Sequence, residues 1–173
     1  MNALVVFGGL PGTGKTTIAK DVARRTGAVY LRIDTIEQAV RSANVLAGDI
    51  GPAGYVVANG VAEDNLRLGR TVIADCVNPV EDSRRGWRSV AAAAGAPLIE
   101  LEIVCSDVAE HRRRVESRAI DVPGLPPPRW ESIEAGGYQP WSRPRLVVDT
   151  ARLTPDAAAA LICAEIERRV RPA

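Results

Sequence analysis

Eight residues near the amino terminus restrict this chain more than any others. Gly9-Leu10-Pro11-Gly12-Thr13-Gly14-Lys15-Thr16 is a complete GxxxxGK[ST] pattern. Glycines at this spacing let the backbone curl until successive N–H groups point inward around phosphate oxygens. A helix opening at the end of the loop adds its unpaired N–H groups and the positive end of its dipole. The pattern carries weight only between a strand and a helix, and both flanks qualify. Ala3 to Phe7 is an apolar run closed by Gly8-Gly9, which predicts a strand buried on both faces of a parallel sheet. Lys15 to Arg25, ended by Gly27, predicts a helix with Ile18 and Val22 facing inward. In that setting Lys15 reaches the β- and γ-phosphates of a nucleotide and the Thr16 hydroxyl ligates Mg²⁺. Gly12, Thr13, Gly14 and Thr17 complete the candidate nucleotide-binding set.

A chain of 173 residues is expected to form one domain, here residues 1–173. A net charge of +1 gives no overall steering toward nucleic acid or an anionic membrane. Of the 22 basic residues only Lys15 and Lys20 are lysines, so a lysine inside the glycine run stands out. Cys76, Cys105 and Cys163 are widely spaced and odd in number, which suggests neither a disulfide framework nor a metal-binding pair. A reduced, cytoplasmic setting is expected. The first seven residues lack a basic leader region and are too short an apolar run to span a bilayer, so no membrane partner is expected. Nothing in the sequence specifies an oligomeric state.

Further strands are predicted at Val29–Ile33, Thr71–Ala74, Leu98–Val104 and Arg145–Val148, with helices between them. Alternation of this kind predicts a five-stranded parallel sheet with right-handed crossovers, covered by helices on both faces. The helix over Asp107–Ala119 has Ser106 as its candidate N-cap, and Thr154-Pro155 starts the last helix. Residues 121–144 hold Pro123, Pro126-Pro127-Pro128, Gly136-Gly137, Pro140 and Pro144, which predicts little regular structure. A lid over residues 112–144 is therefore expected.

Asp34 closes the second predicted strand, at the carboxyl edge where open α/β sheets bind ligands. A carboxylate there can take the proton of an attacking hydroxyl, or simply cap the next helix. Asp75 follows Thr71-Val72-Ile73-Ala74 and is the candidate Mg²⁺ ligand beside Thr16, a contact to substrate being the alternative. Arg114 and Arg118 are four apart on one helix face, suited to clamping a transferring phosphoryl group and stacking on a base. Arg113 reads as solvated and His111 as surface or packing. Tyr55, Trp130, Tyr138 and Trp141 either stack on a flat acceptor or anchor a loose loop.

Together these elements resemble the small P-loop kinases, a group that includes shikimate and gluconate kinases, chloramphenicol phosphotransferase, zeta toxins and polynucleotide kinase. The chain is most similar to the stand-alone bacterial kinases grouped under an AAA-like ATPase heading. The resemblance rests on Gly9 to Thr16, on Asp34 within Leu31-Arg32-Ile33-Asp34-Thr35-Ile36-Glu37, and on Arg114-Val115-Glu116-Ser117-Arg118. It implies a P-loop NTPase fold, a three-layer α/β/α sandwich with a helical and loop lid. It further implies ATP and Mg²⁺ as cofactors, Lys15, Asp34 and Arg118 as catalytic residues, Asp34 among them as base, and Arg114 as the adenine neighbour. Shikimate kinases carry a further Asp where this chain has Arg32, and their glycine-rich substrate motif is replaced by Asp75-Cys76-Val77-Asn78. NKxD is absent, and Asp75-Cys76-Val77-Asn78 stands where a DxxG would follow the third strand, which sets GTPases aside. The function expected is transfer of the ATP γ-phosphoryl to a hydroxyl of a small molecule. A polynucleotide 5′-hydroxyl kinase, served by arginines at 112–118 and 143–145, and a non-catalytic ATP-binding switch are the alternatives.

Overall fold

The computed structural model describes residues 2–44, 48–119 and 121–171; position 120 of the expected lid, and residues 1, 45–47 and 172–173 of the expected domain, lie outside them. In chain order the elements are β1 (Leu4–Gly8), α1 (Lys15–Thr26), β2 (Val29–Arg32), α2 (Ile33–Ser42), α3 (Ala53–Arg67) and β3 (Val72–Asp75). There follow α4 (Glu81–Ala93), β4 (Leu98–Val104), α5 (Val108–Glu116), α6 (Trp130–Glu134), β5 (Leu146–Asp149) and α7 (Pro155–Val170). The five strands form one parallel sheet in the order β2-β3-β1-β4-β5. β1 is central and all five of its residues are buried, as an unbroken apolar run between two helical layers requires.

Alternation along the strands divides the core. Val5, Phe7, Ile73, Leu101 and Ile103 pack with Ile18 and Val22 of α1 and Ile162 of α7. Leu4, Val6, Val72 and Ala74 pack on the other side with Ala58, Ala62 and Leu66 of α3 and Trp87 of α4. The result is the three-layer P-loop NTPase sandwich, with every strand's carboxyl end at one edge.

Several element ends differ from the sequence expectation: α5 stops at Glu116 and not at Ala119, so Arg118 lies past the helix and does not share a helix face with Arg114. β2 stops at Arg32, so Asp34 sits in the first turn of α2 and not at a strand terminus. Ser106 does not cap α5; its N–H and Oγ both bond the Asp149 carboxylate, at 3.0 and 2.6 Å. That tie fastens the end of β4 to the end of β5 and leaves capping to Asp107, whose side chain accepts from Glu110 N at 3.0 Å. Thr154 caps α7, accepting from Ala157 N.

The segment 121–144 holds one short helix, α6, and is bolted down near its end by Arg84. That guanidinium is fully buried and donates to the carbonyls of Asn78, Pro79, Gln139 and Pro140. It also lies 4.2 Å from the Trp141 ring centroid and 5.3 Å from that of Tyr138. Asn78 makes the turn out of β3 with φ +55°, its N–H donating to Tyr55 Oη at 3.0 Å.

Candidate active site

The glycine loop turns because Gly9, Gly12 and Gly14 hold φ of 136°, 82° and 89°, the region side chains avoid. At Gly9 a Cβ would run into the Ile103 carbonyl, and at Gly12 it would lie 2.5 Å from Val115 Cγ2. The loop is thus pressed against β4 and α5 as well as curled. Gly9 N donates to Val77 O at 3.0 Å, which pins the start of the loop to the exit of β3. Gly14 precedes α1 without any side-chain cap, so the first N–H groups of that helix remain available to an anion.

Lys15 is 7% exposed and its Nζ reaches the Leu10 carbonyl at 3.4 Å. Burial lowers its pKa, and the carboxylates of Asp75 and Asp34 pull it back upward. Arg118 lies near enough for its charge to act on Lys15 as well. A cleft of about 430 Å³ runs between the two elements. Gly12, Gly14, Lys15, Thr16 and Thr17 line one wall; Arg113, Arg114, Ser117 and Arg118 line the other. Thr13 turns inward instead: it is 2% exposed, its Oγ1 donating to Leu10 O at 2.9 Å.

Arg114 is wired to the loop through Thr150. Its Nε donates to Glu110 at 2.7 Å and its Nη1 and Nη2 to Thr150 Oγ1 and O at 2.9 and 3.2 Å. Thr150 Oγ1 in turn donates to the Thr13 carbonyl at 2.9 Å. His111, buried, donates from Nε2 to Pro11 O at 2.8 Å and meets the Trp130 ring edge-on at 5.1 Å. Arg112 and Arg113 are exposed and paired with Glu116 and Glu110 on their own helix.

Asp34 and Asp75 stand beyond Lys15, outside the lining of the cleft. Asp75 is 2% exposed and accepts from Tyr30 Oη at 2.7 Å; burial first, and then that carboxylate, raise the Tyr30 pKa well above its ordinary 10.0. Among the described residues no group of three or more His, Cys, Asp or Glu is placed to hold a metal. The candidate donors are the Thr16 hydroxyl and the Asp75 carboxylate, hard oxygen ligands of the kind that suit Mg²⁺.

The aromatic residues serve as anchors: Tyr138 and Trp141 on Arg84, Trp130 on His111, and Tyr55 on the Asn78 backbone. Sequence reasoning missed Tyr30, Thr150 and Asp121. Only Thr150 carried a local signal, since it directly follows an Asp at the end of a predicted strand.

The sequence matches the profile of the AAA domain family AAA_33 over residues 4–124. An uncharacterized protein of Mycobacterium tuberculosis strain H37Rv, Rv2004c, is 32% identical over 96 residues. That match takes in 53% of this chain and 19% of the relative, so the chain accounts for about a fifth of the relative's length. Among solved structures, the fold is similar to a sugar kinase from Janibacter sp. HTCC2649, with TM-score 0.69 and 20% identity over the whole of both chains. It is also similar to Chaetomium thermophilum Kti12 in complex with ADP-AlF3, with TM-score 0.73, 20% identity and coverage of 98% and 100%. The Mycobacterium tuberculosis APS kinase CysC with AMPPNP and APS gives 0.67, 21% identity and coverage of 93% and 95%. These likenesses are likenesses of fold, whereas the profile spans well over half of the sequence and includes the glycine loop, Asp34, Asp75, Arg114 and Arg118: the chain belongs to the AAA_33 family of AAA domains.

Proposed function

We propose that the chain is an ATP- and Mg²⁺-dependent phosphotransferase that moves the γ-phosphoryl group to a hydroxyl of a small molecule. The observation that carries this reading is the position of Lys15. It is buried at the mouth of a helix and lines the cleft opposite Arg118, with the carboxylates of Asp75 at the end of β3 and Asp34 in the first turn of α2 acting on its charge. A cation so placed meets phosphate oxygens, while a partly exposed carboxylate nearby can serve the attacking group.

In this reading Gly12 to Thr17 cradle the phosphates and Arg114 flanks the base. Thr16 and Asp75 would hold the cation, which would supply charge neutralisation on the phosphates. Lys15 and Arg118 offset the charge that spreads over the γ-phosphoryl oxygens as the bond to the leaving oxygen loosens. Asp34, 33% exposed, accepts the proton of the incoming hydroxyl. A basic groove for a polynucleotide is poorly served by α5, because Arg112 and Arg113 are neutralised by Glu116 and Glu110. Family membership and the fold shared with a sugar kinase and an APS kinase support a kinase of small acceptors.

The test is ADP release with Mg·ATP and pooled hydroxylated metabolites, antibiotics and 5′-hydroxyl oligonucleotides, run beside Asp34→Asn. Acceptor-dependent turnover is expected with a metabolite or antibiotic pool, falling roughly 10²–10⁴-fold in the variant while ATP still binds. Stimulation by oligonucleotides alone would favour the 5′-hydroxyl kinase. Binding of ATP with no stimulation by any pool would favour the switch.

A further inference from the structure

Arg32 ends β2 at the carboxyl edge of the sheet and is 6% exposed. Nothing in the proposed chemistry calls for a guanidinium at this point. Its Nη1 and Nη2 donate to the two oxygens of Asp121 at 2.8 and 2.9 Å, a two-point pair that fixes direction as well as distance. Lys20 of α1 donates to the same Asp121 Oδ2 at 2.9 Å. On its other sides Arg32 faces Asp34 Oδ2 at 3.5 Å and Asp75 Oδ2 at 4.0 Å, and its buried Nε makes no hydrogen bond. With three carboxylates around it, Arg32 has little field left to offer a phosphate. Its work is local.

Asp121 lies three residues past Arg118, in the segment that leaves α5. Arg118 lines the cleft and acts on Lys15. Among the described residues no ion pair holds it. A long side chain with no partner keeps its direction only if the backbone that carries it is held. The helix holds that backbone on one side, ending at Glu116. The Arg32–Asp121 pair holds it on the other, across 89 residues of sequence.

We infer that Arg32 and Asp121 are positioning residues whose two-point ion pair aims Arg118 at the transferring phosphoryl group. Lys20 adds a weaker, half-exposed support, with 45% of its side chain in solvent. The inference rests on the proposed role of Arg118, and its test separates the two.

The full chain is titrated with Mg·ADP, with and without aluminium fluoride as the mimic of the group in flight. The readout is the factor by which the fluoride tightens nucleotide binding. Arg118→Ala is expected to cut that factor roughly a hundredfold or more with little change in Mg·ADP affinity. Asp121→Asn and Arg32→Lys, which each keep bulk but break the two-point pair, are expected to cut it roughly tenfold or more. Asp121→Asn combined with Arg118→Ala is expected to lose no more than Arg118→Ala alone, since the first acts through the second. Full tightening in both Asp121→Asn and Arg32→Lys overturns the inference while leaving Arg118 its role; so do losses that multiply in the double variant. Undiminished tightening in Arg118→Ala, or none in the wild type, overturns the role of Arg118 and the inference with it.

Discussion

Buried charge at this site favours chemistry over stability. Lys15 is desolvated, and that burial lowers its pKa from the ordinary 10.5. A lysine whose folded pKa lies below its unfolded value weakens the fold at neutral pH, where it must stay charged. Lys15→Met should therefore lose roughly 10²–10³-fold in turnover and gain up to about 1 kcal/mol, or about 2–4 °C in melting temperature. Paired kinetic and calorimetric measurements check both halves. Arg84 has the opposite character. Four carbonyls depend on its guanidinium, so Arg84→Met should cost about 3 kcal/mol, or about 6–12 °C in a thermal melt. At this scale the sequence reveals residues whose neighbours in the chain explain them: Lys15 and Thr16 by the glycine spacing, Asp75 by its strand. Arg84, Thr150 and Asp121 take their meaning from partners 55, 137 and 89 residues away, and no local pattern announces such pairs.

Among the elements, strands were legible because an apolar run without polar interruption has one good place to go, between two layers. Element ends were less so. Ser106 and Asp107 are both good caps by residue type, and only the capture of Ser106 by Asp149 decides between them. α6 was hidden by the prolines around it, yet Trp130 buried against His111 holds it in place. The helices also carry part of the acid sensitivity of the fold. Glu110 on α5, held by hydrogen bonds from Arg113 and Arg114, and Glu165 on α7, held by Arg168 and Arg169, both titrate at about 2 in place of 4.5. Folded values below unfolded ones mean stability that is complete above about pH 4.5 and is lost as pH falls toward 2. Helical circular dichroism with chemical denaturation at pH 7, 4.5 and 3 should show the midpoint holding across the first interval and dropping across the second.

For the molecule as a whole, parallel topology gathers the glycine loop, Asp34, Asp75, Asn78 and Thr150 at one edge of the sheet, since each follows a strand or ends one. Among the described residues no helix is long and apolar enough to cross a membrane. The lid proposed over residues 112–144 is narrowed by its attachments: α5 packs on the loop through Val115 and His111, and Arg84 fastens Gln139 to Trp141. The freedom that closure needs therefore belongs to the stretch between Asp121 and Tyr138. In the middle of that stretch stands Trp130, edge-on to His111, which holds the Pro11 carbonyl of the glycine loop. The chain has three tryptophans; of the other two, Trp87 lies in the core and Trp141, stacked on Arg84, packs against Gly8 at the end of β1. Intrinsic fluorescence should consequently shift when Mg·ATP fills the cleft, and most of that shift should be lost in Trp130→Phe. A spectrometer and an unlabelled sample then suffice to follow nucleotide arrival in real time, because the imidazole between loop and indole makes the protein its own optical probe.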